Sequence, residues 1–247
     1  MIAQTGYDMN DYDISKHYKE YFISKWPEEG VGYIKAGKFY PLENKAVDKI
    51  HSFAVDESFM LDEPEILLHS HTVGHEPTKN SDNPKEPSYL DLLGQINTDI
   101  EWGICVTDGE VCEDPVYWGN PDNRPELIGR DFIYNIQDCF ALAQDWYYKE
   151  IGLTLPNYPR DKYWNRNGEN YIMEQYSKYG FIDVALEELK PGDALLYQVQ
   201  SKVPCHIGIY LGNGQVISHW FGRQSAIESY GKFARYIVRA LRYANTK

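Results

Sequence analysis

The stretch His206 to His219, "HIGIYLGNGQVISH", decides the architecture of the second half of the chain. Apolar and small or polar residues alternate on both sides of Gly212-Asn213-Gly214, and such a turn between two alternating runs is a strong hairpin signal. The hairpin opens on His206 and closes on Ser218 and His219, so its two free ends bring polar groups together. Working outward, "DALLYQV" (Asp193–Val199) and "RYIVRALRY" (Arg235–Tyr243) read as further strands. Ahead of them, "QDCFALAQDWYYKEIG" carries Cys139, Leu142, Ala143 and Trp146 at helical spacing, with Gly152 placed as a C-cap. "YIMEQYSKYGF" reads as a second helix stopped by Gly180. The second half is therefore helix first, then antiparallel sheet.

Further toward the N-terminus the composition changes. "YWGNPDNRPELIGR" (Tyr117–Arg130) holds two Pro, two Gly and two Asn and reads as a connection. The expected division is a first domain at 1–118, a linker at 119–130 and a second domain at 131–247. In the first part, "DISKHYKEYFISKW" predicts an amphipathic helix with its N-cap at Asp13 or Ser15. "GVGYIKAGKFYPLEN" reads as a hairpin, "EILLHSHT" as a buried strand with a polar end, and "HEPTKNSDNPKEP" as a loop. "SYLDLLGQINTD" reads as a helix capped by Ser88, and "IEWGICVTDG" as another strand. No repeat or low-complexity segment interrupts the chain.

The chain has 247 residues, 43% of them hydrophobic, enough for one large domain or two ordinary ones. Its formal net charge of −13 argues against sequence-independent binding to nucleic acid or to an anionic membrane surface. No apolar run approaches a membrane span, and the N-terminus lacks the basic and apolar regions of a secretory signal. The four cysteines form no CxxC pattern, so neither a disulfide framework nor a cysteine zinc knuckle is expected.

Two groups of residues carry chemistry. Cys139 opens a helix, where the dipole favours a thiolate, and a histidine at a strand end, His206, can face a helix start. A third polar group should orient that imidazole. Neighbouring strand residues face opposite sides, so Ser218 and His219 are alternatives, and His219 is favoured because its ring nitrogen can share a proton with imidazole. In the first part, His69 and His71 stand one residue apart on a strand and so point to the same side. Two imidazoles and a carboxylate make a zinc site with an open position. Asp91, one turn into the Ser88 helix, is placed to be the third ligand, and Glu29 to be a general base.

"EGVG" (Glu29–Gly32), "HSH" (His69–His71) and "SYLD" (Ser88–Asp91) resemble the elements of JAMM/MPN+ metalloproteases. The resemblance implies zinc held by His69, His71 and Asp91, with Glu29 as base and Ser88 helping to hold the oxyanion. Thr72 stands where that family usually has Pro, and the stretch from His71 to Ser88 is longer than is common. "DCFALAQDWY", "PGDALLY" (Pro191–Tyr197) and "HIGIYLGNGQVISH" resemble the ordered motifs of NlpC/P60 cysteine peptidases. That resemblance implies Cys139 as nucleophile and His206 as base. Read without a gap it puts Ser218 where the family commonly has His, and Phe140 replaces a small residue after the cysteine.

The expected fold class is α+β, an MPN-like mixed sheet with flanking helices followed by a papain-like domain. The order of the two domains, with "LIGRDF" and "HWFGRQS", resembles the lambda K-like tail assembly proteins of long-tailed bacteriophages. This implies a peptidase at a phage tail tip that cuts either tail proteins during assembly or peptidoglycan cross-bridges during entry. Its partners would be other tail-tip proteins. It would reside in the host cytoplasm and then in the virion. A structural tail-tip component with inactive domains is the alternative. A deubiquitinase-like enzyme is suggested by the first domain alone and opposed by the second.

Overall fold

The structure, a computed structural model, describes residues 13–75, 83–160 and 164–244. The stretch read as a loop before Ser88 lies partly outside the described residues. The chain is mixed α+β and divides into two compact units, one of Met1–Lys85 with Asn97–Asn120, the other of Glu86–Ile96 with Pro121–Lys247. Among the described residues no helix is long and apolar enough to cross a membrane.

The first unit is built on five strands: β1 (Val31–Lys35), β2 (Lys38–Leu42), β3 (Ile66–Thr72), β4 (Glu101–Thr107) and β5 (Val116–Trp118), in the order β2-β1-β3-β4-β5. β3 and β4 pair in parallel and the other neighbours antiparallel. A parallel pair needs a long crossover, and α2 (Tyr89–Thr98) lies in the chain between the two strands. Helix α1 (Ile14–Lys25) starts where Asp13 accepts hydrogen bonds from the Ser15 and Lys16 amides. It buries Tyr18 and Phe22 against Ile34, Phe39, Leu68, Cys105 and Cys112.

The second unit carries α3 (Cys139–Ile151), the short α4 (Trp164–Asn167) and α5 (Tyr171–Gln175), and six strands. These are β6 (Phe181–Val184), β7 (Ala194–Tyr197), β8 (His206–Gly212), β9 (Gln215–Ser218), β10 (Ala226–Ser229) and β11 (Ile237–Tyr243), in the antiparallel order β10-β9-β8-β7-β11-β6. The expected helix at 171–181 is shorter than its pattern: α5 gives way to a 3₁₀ turn at Tyr176–Tyr179, and Gly180, at φ +81°, ends it.

Strand alternation sorts the second core into two faces. Leu196, Ile207, Ile209, Ile217 and Leu241 pack with Leu142, Ala143 and Tyr147 of α3. Leu195, Tyr197, Val216 and Ala240 form a separate cluster with Trp220 and Phe233. The Pro- and Gly-rich stretch before α3 is fixed at its end. Arg130 is buried, ion-paired with the buried Asp145 of α3, and donates to the carbonyls of Pro125 and Glu126. Arg124 reaches the same carboxylate at 2.7 Å.

Candidate active site

Cys139 is the first residue of α3, as its spacing predicted. Asp138 is the N-cap: its Oδ1 accepts from the Phe140 and Ala141 amides at 2.9 Å each. Its Oδ2 accepts from the Asn135 amide at 3.0 Å and from Arg160 at 2.7 Å. Asp138 and Arg160 are both buried, and the guanidinium also lies over the Phe140 ring. Four donors on one carboxylate fix the start of α3 and hence the thiol.

Cys139 is half-buried and packs against the α3 side of the sheet. Burial pushes its thiol up to about 12, and the Asp138 charge adds to this. The Ile207 amide and Arg160 act in the opposite direction. Cys139 thus approaches the sheet at Ile207, the residue after His206. Among the described residues no hydrogen bond joins the thiol to the imidazole.

His206 is the first residue of β8 and is 5% exposed. Burial pulls its imidazole down to about 3; Asp138 favours the charged ring and His219 opposes it. Burial thus favours the uncharged form of both the thiol and the imidazole. Nε2 of His206 is buried and makes no hydrogen bond among the described residues. The ring is stacked on Trp220, with centroids 3.7 Å apart and planes 18° apart, and lies 5.3 Å from the Tyr197 ring.

The β8–β9 ladder bears on the Ser218/His219 pair. Ser218 is paired with Gly208, two residues from His206, so the two share one side of the sheet. The sequence favours His219 for the third place, whereas the register sets Ser218 on the His206 side. His219 follows the last residue of β9, is fully buried and packs edge-on against Phe132 at 5.2 Å. Burial lowers its basicity too. The backbone at Arg130 and Arg223 comes near enough to favour the charged ring, without a well-formed hydrogen bond to either ring nitrogen.

In the other expected group, β3 brings the two imidazoles together as the i, i+2 spacing requires. Nε2 of His69 and Nε2 of His71 are 3.2 Å apart, and Nδ1 of His71 faces the Pro84 carbonyl at 2.7 Å. A carbonyl at Nδ1 selects the tautomer with the proton on that nitrogen and the lone pair on Nε2. Ser88 and Asp91 form a capping box: Asp91 Oδ2 accepts from the Ser88 amide at 2.7 Å and Ser88 Oγ from the Asp91 amide at 3.1 Å. Glu29 is buried and adjoins Gly30, whose amide donates to Ser70 Oγ at 2.8 Å.

The model of the NlpC/P60 family matches residues 115–241, just over half of the chain. The chain belongs to the NlpC/P60 family. Cys139, His206, Ser218 and His219 all fall inside the match, as do Asp138, which opens the "DCFALAQDWY" motif, and Trp220 and Arg160, to which the sequence assigned no role. The chain is also similar to tail tip assembly protein K of Escherichia phage lambda, 32% identical over 132 residues that make up 53% of this chain and 62% of that protein. The match thus spans less than two thirds of the lambda relative. Tail tip assembly protein K of Escherichia phage N15 is 23% identical over 223 residues, 85% of each chain. Among solved NlpC/P60 structures, the domain of the peptidoglycan hydrolase SagA superposes with a TM-score of 0.32 at 19% identity, covering 47% of this chain and 89% of that one. An NLP/P60-family protein similar to a lipoprotein, from Staphylococcus aureus subsp. aureus Mu50, gives a TM-score of 0.35 at 16% identity, covering 49% of this chain and 38% of that one.

Proposed function

We propose that this NlpC/P60 chain is a phage tail-tip component that acts as a cysteine peptidase, cutting tail-protein peptide bonds during assembly or peptidoglycan cross-bridges during entry. The observation that carries the reading is Cys139, capped into the start of α3 inside the NlpC/P60 match that also holds His206. Cys139 is the nucleophile: as its sulfur bonds to the substrate carbonyl carbon, its proton passes to the His206 ring. The imidazolium then gives that proton to the departing amine, and water, deprotonated by the same ring, releases the acyl group. Since burial favours the uncharged form of each group, proton transfer accompanies attack. Ser218 or His219 fills the third place.

The partners would be other tail-tip proteins, with the chain made in the host cytoplasm and carried in the virion. A net charge of −13 suits docking to proteins better than adsorption to an anionic wall. The first sheet, with its parallel β3–β4 pair, would be the MPN-like domain. His69, His71 and Asp91 would hold zinc there. The 3.2 Å between the two imidazole nitrogens matches the roughly 3.3 Å edge of a tetrahedral zinc shell. Bound zinc would polarise a carbonyl and acidify a water, while Glu29 takes up a proton and the Ser88 hydroxyl is available to an oxyanion. The reconstituted protein should carry about one zinc per chain, lost in His69→Ala. No zinc in a folded protein would leave this half without a metal role.

The deciding experiment incubates the protein with peptidoglycan and with candidate tail proteins, alongside Cys139→Ala and Asp91→Ala. Cleavage abolished by Cys139→Ala alone assigns the reaction to the second unit. No cleavage of either substrate, with assembly unchanged by both substitutions, would leave the structural alternative.

A further inference from the structure

A base that starts neutral in a buried position must become an imidazolium during turnover, and something must then stabilise the charge. A carboxylate or polar side chain hydrogen-bonded to the ring is the usual device. Here the buried Nε2 has no such partner among the described residues, and Ser218, the residue the ladder sets on the same side, carries no charge. The closest ring to His206 is Trp220. Its indole lies face to face with the imidazole, 3.7 Å between centroids and 18° between planes. The indole is held in turn by Tyr197, edge-on at 5.4 Å, and by Phe233 at 4.4 Å. Neither the hairpin motif nor the spacing of the helix marks this residue.

We propose that Trp220 is a positioning residue for His206, whose indole face holds the imidazole plane and stabilises the imidazolium formed when Cys139 gives up its proton. Trp offers the strongest cation–π face of the natural side chains, and the contact gains strength where water is excluded. Parallel stacking also fixes the plane of the imidazole. The step is a proton transfer without change in electron count: the S–H bond breaks, an N–H bond forms, and the positive charge so created lies against the indole. This role rests on the reading of Cys139 and His206 as nucleophile and base.

The test needs no substrate. Full-length protein carrying tryptophan, monofluoro-, difluoro- or trifluorotryptophan at position 220 is compared with Trp220→Phe and Trp220→Leu. The readout is alkylation of Cys139 by iodoacetamide at neutral pH, followed by mass spectrometry, with the thermal midpoint as a check on folding. Fluorination weakens the π-face and hardly changes ring size, so a packing role would leave the series flat. The expected result is a stepwise fall in rate with each fluorine, reaching roughly tenfold for the trifluoro ring and for Leu, with Phe between. Equal rates across the fluorinated series, or a faster rate on weakening the ring, would overturn the proposal while the pairing of Cys139 and His206 stands. His206→Ala serves as the separate control. If it leaves the alkylation rate unchanged, His206 does not assist the thiol, and both the base assignment and the role of Trp220 fall together.

Discussion

His206 couples the site to the pH dependence of the fold. Its imidazole is held near 3 by burial, against an ordinary value of 6.5. The unfolded chain therefore binds a proton that the folded chain refuses as pH falls below about 6.5. Stability from the neutral ring is fully present above 6.5 and is lost progressively between 6.5 and 3. On acidification from neutral to about pH 4 this one residue should cost on the order of 3 kcal/mol. Urea titrations at both pH values should show the difference shrink in His206→Gln; an unchanged acid sensitivity would mean that the ring is hydrated. The pair Ser218 and His219 is separable at the same scale. With Ser218 on the His206 side and His219 against Phe132, Ser218→Ala should act on turnover. His219→Ala, which empties a fully buried site, should act on stability by roughly 2–4 kcal/mol. Loss of turnover in His219→Ala at unchanged stability would restore the histidine to the third place.

Helix α3 shows what a sequence reveals about an element and what it conceals. Its start, its Gly152 end and the hairpin of β8 and β9 were legible, because capping residues, a 3.6-residue period and a Gly-Asn-Gly turn are local signals. The i, i+2 convergence of His69 and His71 was legible for the same reason. The partners of Asp138 were not: Arg160 lies 22 residues away, and no local rule joins them. Nor did the hairpin fix which of Ser218 and His219 shares a side with His206. A motif gives residue order, whereas side is set by the bulge between Tyr210 and Gly212, which a one-residue miscount hides. Trp220 gave no sign of its place on the imidazole, since one aromatic beyond a strand end has no period. The buried Asp138–Arg160 pair makes a prediction for the element. Asp138→Ala removes a cap and leaves a buried guanidinium uncompensated, so roughly 3–5 kcal/mol of stability should be lost. Asp138→Asn keeps the cap and should lose less. A loss under about 1 kcal/mol in Asp138→Ala would show that water replaces the carboxylate. Gly208 is a second element-level constraint. A Cβ there would stand 2.8 Å from Val216 Cγ1 and 3.2 Å from the Ile217 carbonyl oxygen, so Gly208→Ala should cost about 1–3 kcal/mol by spreading β8 from β9.

At the scale of the whole molecule, each unit has its own sheet and its own core, and the expected division was drawn from composition alone. Composition marks where proline, glycine and asparagine accumulate; it does not show that a charged residue within such a stretch is buried. Arg130 is that case, and it governs where the chain can be cut. A gene fragment beginning at Asp131 would deliver α3 with the Asp145 carboxylate enclosed and both of its cations, Arg124 and Arg130, left behind. Burial already pushes the Asp145 carboxyl up toward its neutral form, and the two guanidiniums oppose this. Such a fragment should give less soluble protein than one beginning at Pro121, which keeps both cations; the soluble fraction after expression distinguishes them. For grafting this half onto another carrier or for exchanging it between chains, a recombination point placed after Arg130 would therefore separate a lock from its key, inside the stretch that looks like spacer.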